Sequence, residues 1–286
     1  MSALGAPERL TRRERDRRVA GGALPRSAPW PLLVPAMVAV AFLVLPLVGL
    51  IIRAPWGDMW SILRSSSASE ALRLSLWTST VATGISLVIG VPLAWVLART
   101  ALPGLRLLRA LVTLPLVLPP VVGGVALLLA FGRNGFVGRL LDSWFGITIP
   151  FTPVAVVMAE TFVAMPFLIV TVEGALRSAN QGYEQAAATL GAGRMTVFRR
   201  VTVPLIAPSL FAGAALAWAR ALGEFGATIT FAGNIQGRTQ TTPLAVYLYL
   251  ESQPQVAIAL SLLLLAVSIT VLVLLRDRWF GNVRSA

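Results

Sequence analysis

Arg220 and Glu224 stand four residues apart at the end of a long apolar stretch, and Glu160 stands alone within another. Residues four apart share one helix face, so Arg220 and Glu224 can pair. Charges inside apolar segments are costly, and they mark either a pathway or an internal brace. As a pathway, Arg220 attracts an oxyanion while Glu224 limits how tightly it is held. As a brace, the pair neutralises itself and stiffens its helix, which suits a conduit that must not bind its cargo firmly. Thr228 and Thr230 alternate with apolar residues, so they either line a gate or back-bond to their own helix. Other chemistries lack their residues. Cys and His are absent, and all 24 basic residues are Arg. Disulfides, Cys/His zinc sites, Cys–His or Ser–His catalytic pairs and a lysine-bearing phosphate loop are thereby excluded. No catalytic residue and no metal site is expected.

The elements that position these residues follow from composition. Of 286 residues, 56% are hydrophobic and 13% charged, with a mean hydropathy of +0.78. A soluble domain carries about a quarter charged residues, so most of this chain faces lipid or other helices. A span needs about 20 apolar residues. Residues 31–52, 74–98, 110–132 and 256–275 meet this without a charge, and 153–172 and 203–223 do so around Glu160 and Arg220. The expected fold is an all-α membrane protein of six transmembrane helices. With the N-terminus inside, seventeen Arg fall on the inner side and five on the outer side. The excess of inner Arg sets both termini in the cytoplasm. Residues 1–29 read as a disordered Arg-rich cytoplasmic tail, and 30–286 as the six-span domain. The net charge of +12 reflects this topology and anionic headgroups, not nucleic acid.

The inner loop 173–202 is long enough to do more than connect spans. Tyr183 through Leu190 contains Glu184, Gln185, Ala186 and Ala187, all good helix formers, and Gly191 suits the left-handed residue past a helix end. A helix of about two turns, roughly 12 Å long, is predicted there. Gly193 permits a bend, and a second helical pattern feeds the fifth span through Pro204, with Phe198 as its anchor. This reads as a docking lever whose Ala face fits a partner's groove, or as a surface helix packed on its own protein.

The run Gln185-Ala186-Ala187, three residues, Gly191, nine residues, Val201-Thr202-Val203-Pro204 resembles the EAA loop of ATP-binding-cassette importer permeases. Gln185 replaces the family's Glu, with Glu184 just before it. The resemblance implies that Glu184, Gln185, Ala186, Ala187, Gly191, Phe198 and Pro204 engage a separate cytoplasmic ATPase dimer. That partner would hold ATP and Mg, and this chain would bind no cofactor. The stretch from Ala219 to Phe231 is similar to the molybdate and tungstate importer permeases. Sulfate and thiosulfate permeases share its core but diverge after it. The resemblance implies a molybdate importer permease, a homodimer in a prokaryotic plasma membrane, fed by an extracytoplasmic oxyanion-binding protein. The same machinery for tungstate, sulfate or thiosulfate is the alternative. From a different class, a secondary transporter would drive protons through Glu160 and Glu224.

Between Val203 and Gly233 lie about 31 weakly polar residues, too many for one straight span. The segment must break, tilt or project outward, and Gly223, Gly226 and Gly233 provide the places to do so. In the third span Pro115, Pro119, Pro120, Gly123 and Gly124 form a broken run, which either gates against the fifth span or packs closely as a kinked helix. The family places gate segments on these two spans. On the outer side, Pro243 suits a helix start with Thr242 as cap. Arg238, Tyr247 and Tyr249 are expected to meet the binding protein, or to sit at headgroup level.

Overall fold

The computed structural model describes residues 30–280, so the tail at 1–29 lies outside the described residues. The described residues are helical and joined by short turns. They divide into two units at Ile52. The first contains α1 (Trp30–Ile52), 23 residues with Pro35 and Pro46 inside and no charge. At 1.5 Å per residue it reaches about 34 Å, enough to cross a bilayer.

The second unit opens with a short helix, α2 (Met59–Arg64), and continues into α3 (Ser66–Ile85), a π turn at Ser86–Gly90 and α4 (Val91–Arg99). The π turn has a local cause. Pro92 has no N–H to give the helix and its ring crowds the carbonyl four residues back, so the preceding turn widens. The same arrangement recurs at Phe198–Thr202, immediately before Val203 and Pro204.

The expected third span is not one helix. α5 (Leu105–Val117) and α6 (Pro120–Phe131) meet at a bend of 118°. Consecutive prolines explain it. A residue before proline is pushed out of the α region, and Leu118 and Pro119 are both extended, with ψ of 133° and 132°. Pro120 then opens a new helix where its missing N–H costs nothing. Among the described residues, five helical stretches are long and apolar enough to cross a membrane, and six if this bent pair counts as one span. The second and fifth of the expected spans run longer than the sequence indicated, over Ser66–Arg99 and Arg194–Leu222.

α7 (Phe136–Phe145) leads to α8 (Pro153–Ser178), the hub of the unit, where the Thr152 hydroxyl caps the start by accepting from the Ala155 N–H at 3.3 Å. α8 packs against α3, α4, α5, α6, α11 (Val203–Leu222) and α12 (Gly226–Phe231). Its Ala164, Leu168, Val172 and Leu176 form the main core with Ala94, Leu97, Ile206 and Ala217. Alanines interleaved with the larger side chains let these helices approach closely, which is where helices without a hydrophobic drive between them gain most. A second cluster joins Leu127 of α6, Val156 and Ala159 of α8, and Ala227 and Phe231 of α12. The chain closes with α13 (Thr242–Ser252) and α14 (Pro254–Phe280).

Candidate functional site

Between α8 and α11 the chain forms the predicted lever. α9 (Gly182–Thr189) ends where the Gly191 N–H donates to the Ala188 carbonyl at 3.0 Å and the Ala192 N–H to the Ala187 carbonyl at 3.1 Å. Gly191 carries φ 84°, the left-handed conformation this double closure requires. Nothing lies within 4 Å of where its Cβ would be, so backbone geometry, not space, asks for glycine. A single turn, α10 (Arg194–Val197), and the second π turn lead into α11.

The outer face of α9 presents Tyr183, Gln185, Ala186, Ala188 and Leu190, with Leu190 89% exposed. Ala187 is half-buried, and Glu184 turns inward. One Glu184 carboxylate oxygen accepts from Arg99 Nη2 at 3.2 Å and from the Thr202 hydroxyl at 2.9 Å. The two charged side chains are only 7% and 19% exposed. Phe198 also faces inward, its ring edge-on to Trp95 with centroids 6.4 Å apart. Beside this, Glu173 binds two guanidinium groups, Arg109 and Arg177, both at 2.9 Å. The same two arginines donate to the Leu97 carbonyl near the end of α4, where helix carbonyls lack partners and cations are favoured. Arg99, Arg109 and Arg177 were legible in the sequence only as topology-setting charges. Glu173 and Arg177 at four-residue spacing gave a local cue; their partners on other helices gave none.

At the other end of α11, the helix stops at Leu222 and a three-residue break turns the chain into α12, as the excess length predicts. Arg220 and Glu224 pair at 2.6 Å, with Glu224 1% exposed and Arg220 26% exposed. The other Glu224 oxygen accepts from the Ala227 N–H at 2.8 Å in the first turn of α12. The pair thus fixes the angle of the break and neutralises itself. The Thr230 hydroxyl back-bonds to the Gly226 and Ala227 carbonyls, at 2.9 and 3.1 Å. Thr228 is fully buried, and its hydroxyl has no hydrogen-bond partner.

α6 crosses α12 at contact distance. A Cβ on Gly124 would fall 1.7 Å from the Thr230 hydroxyl and 2.7 Å from the Ala227 carbonyl oxygen. One on Gly226 would fall 3.0 Å from Pro120, and one on Gly123 would meet Phe162 at 3.0 Å. The structure therefore brings Pro120 and Gly124 of α6 against Gly226, Ala227 and Thr230 of α12, while the neighbouring Gly123 faces Phe162 of α8. Glu160, in α8, accepts from the Thr78 hydroxyl at 2.9 Å, and its second oxygen is buried without a partner. The sequence shows Glu160 standing alone in its span and gives no cue to Thr78, which lies 82 positions away.

Beyond α12, Arg238 is exposed on a loop. Tyr247 is exposed and stacks obliquely on Phe225 at 5.1 Å, beside an apolar groove of about 430 Å³. Tyr249 is half-buried and packs on Ala68, Ala71, Ala245 and Leu260. Two residues along a helix turn about 200°, so Tyr247 and Tyr249 cannot share a surface. The helix cap also differs from expectation. Thr241, not Thr242, precedes the first turn, and neither hydroxyl finds a partner. The Thr242 N–H donates instead to the Ser75 hydroxyl of α3 at 2.7 Å. Among the described residues no group of three or more carboxylates could hold a metal ion.

A multi-span bundle with a glycine-closed lever at one end and a tight helix crossing towards the other defines a membrane permease. Residues 86–282 match the family of binding-protein-dependent transport system inner membrane components. The chain belongs to that family: it is a multi-pass inner-membrane transport component and not an enzyme. It is 50% identical over 224 residues to the molybdenum transport system permease protein ModB of Mycobacterium tuberculosis, covering 78% of this chain and 84% of that one. With the protein of the same name from Escherichia coli it shares 48% over 178 residues, 62% of this chain and 78% of that one. The sulfate transport system permease protein CysT of Salmonella typhimurium is 38% identical over 209 residues, 72% of this chain and 75% of that one. Among solved structures, a chain of a bacterial alginate ABC transporter superposes with a TM-score of 0.71 at 18% identity, covering 88% of this chain and 95% of that one. A chain of the MetNI methionine ABC transporter gives 0.59 at 20% identity, covering 79% and 97%. At such identities the likeness establishes the fold alone.

Proposed function

We propose that this chain is the permease subunit of an ATP-driven, binding-protein-dependent molybdate importer. The observation that carries the reading is its 50% identity to a molybdenum transport permease across most of both chains, against 38% to a sulfate permease. Both termini lie in the cytoplasm, which places the lever loop 173–202 there. The exposed face of α9, with Gln185 and Ala186 at its centre, enters a cleft on a cytoplasmic ATPase, and that partner binds ATP and Mg. Glu184 and Phe198 hold the lever to its own protein, while Gly191 and Pro204 set its two ends. Two copies of the chain form the pathway on a shared two-fold axis, because one copy has too few polar residues to line a pore.

A loaded binding protein docks at the outer end, where Arg238 and Tyr247 are presented. ATPase closure swings the levers, and the crossing of α6 and α12 opens to admit the anion. Pro119, Pro120, Gly123 and Gly226 form the gate by letting backbones meet. Arg220 and Glu224 brace it, and Thr228 and Thr230 complete its packing.

The test is uptake into proteoliposomes holding this chain, its ATPase and its binding protein. Molybdate uptake that requires internal ATP supports the reading. Uptake of sulfate, thiosulfate or tungstate in preference would keep the machinery and change the cargo. Flux indifferent to ATP but sensitive to a proton gradient would overturn it.

A further inference from the structure

We propose that α4 is the first recipient of the lever's motion, and that Arg99 and Trp95 are the positioning residues that transmit it. The proposal rests on the importer reading and goes beyond it by naming the route from lever to spans.

The packing of α9 stays largely within its own loop, on α10 and the π turn Phe198–Thr202. Among the described residues, the side-chain hydrogen bond that carries α9 to an element outside 173–202 is the one from Arg99 to Glu184. Thr202 donates to the same carboxylate oxygen. A single atom therefore ties together the lever, the last residue of α4 and the turn that opens α11. Trp95 lies four residues before Arg99 and so shares its helix face. Its edge-on contact with Phe198 gives α4 an apolar grip beside the polar one.

An open cleft of about 140 Å³ lies beside these grips, lined by Trp95, Glu184, Ala188, Ala192 and Phe198 among others. Close-packed interfaces transmit displacement but resist shear; this cleft gives the edge of α9 that carries Glu184 and Ala188 room to shift against Trp95. Arg99 must follow the shift. Its Nε and Nη1 are buried without acceptors, and a buried guanidinium that loses its carboxylate is strongly disfavoured. From α4 the path continues through the Ser86–Gly90 turn into α3. There Ser75 holds the Thr242 N–H and Thr78 holds Glu160. The lever is thereby connected to the base of the outer helix α13 through α4 and α3, in parallel with α11.

The experiment measures anion taken up per ATP hydrolysed in the reconstituted complex, for Arg99→Ala, Arg99→Lys, Trp95→Leu, Thr202→Val and Thr202→Ser. For Arg99→Ala, uptake falls further than hydrolysis, lowering the ratio about fivefold or more. Thr202→Val lowers it by about twofold. Arg99→Lys and Thr202→Ser, which keep the donors, recover most of it. If Arg99→Ala does not fold, Trp95→Leu decides, since it removes the edge-on contact with Phe198 and leaves the polar pair in place. Uptake and hydrolysis falling in proportion, or an unchanged ratio in both Arg99→Ala and Trp95→Leu, would overturn the proposal. Wild-type complex that fails to couple uptake to ATP at all would instead overturn the importer reading.

Discussion

The lever and the crossing of α6 with α12 both depend on glycine, for opposite reasons. Gly191 stands in open space and is needed for its backbone angle; Gly124 has an ordinary helical angle and is needed because no room exists for a side chain. The lever is exposed and held back to its protein by one polar knot. The crossing is buried, with one ion pair bracing the turn between α11 and α12. A docking part must present a shape and return to it, whereas a gate must close without leaving a void. The two demands select glycine by conformation in one place and by volume in the other.

That contrast can be broken by substitution. Gly124→Ala has the largest expected effect, because the added methyl meets a backbone carbonyl at 2.7 Å that cannot rotate away. We expect a loss of about 3 kcal/mol or more in detergent-solubilised stability, with uptake abolished. Pairing it with Thr230→Ala recovers only part, since the Ala227 carbonyl remains. Arg220→Ala follows, leaving Glu224 buried without its cation. Arg220 is a quarter exposed, so the cost is about 2 to 3 kcal/mol, below that of breaking a fully buried pair. Its signature is a lowered thermal midpoint together with reduced uptake.

Gly191→Val should behave differently. The strained angle costs about 1 to 2 kcal/mol, but it is confined to the lever, so uptake falls about tenfold while the thermal midpoint of the bundle stays within a degree or two. A midpoint drop as large as that of Gly124→Ala would erase the distinction between the two regions. The smallest effect belongs to Thr230→Val. Its hydroxyl is satisfied by its own helix, so the change is worth about 0.5 kcal/mol or less and uptake is nearly unchanged. A large loss of uptake there would mean that the hydroxyl meets the anion.

Local chemistry was readable from the sequence, and distant pairing was not. The end of α9 at Gly191, the break after Gly223 and the pairing of Arg220 with Glu224 all depend on residues within a few positions of one another. Their outcomes follow from helix periodicity and glycine. Glu184 and Arg99 are 85 positions apart, and Thr78 and Glu160 are 82. Nothing in either local pattern says which helix will pass by. The fold-back at Leu118 and Pro119 was half visible. Two prolines forbid a straight helix, but the size of the bend depends on what α6 finds to pack against, here α12 and α8.

The two π turns have a consequence for how this chain tolerates change in length. Each holds about one residue more than an α turn would, directly before a Val-Pro pair. A single-residue deletion within Phe198–Thr202 can be absorbed by rewinding the turn to α, so every residue of α11 keeps its facing. The same deletion between Val203 and Leu222 would rotate everything on one side of it by about 100°. Gly213, which sits against Leu168 and Thr171, would then face lipid or an empty seam. Insertions and deletions among relatives should therefore collect at the widened turns and spare the helices that follow them.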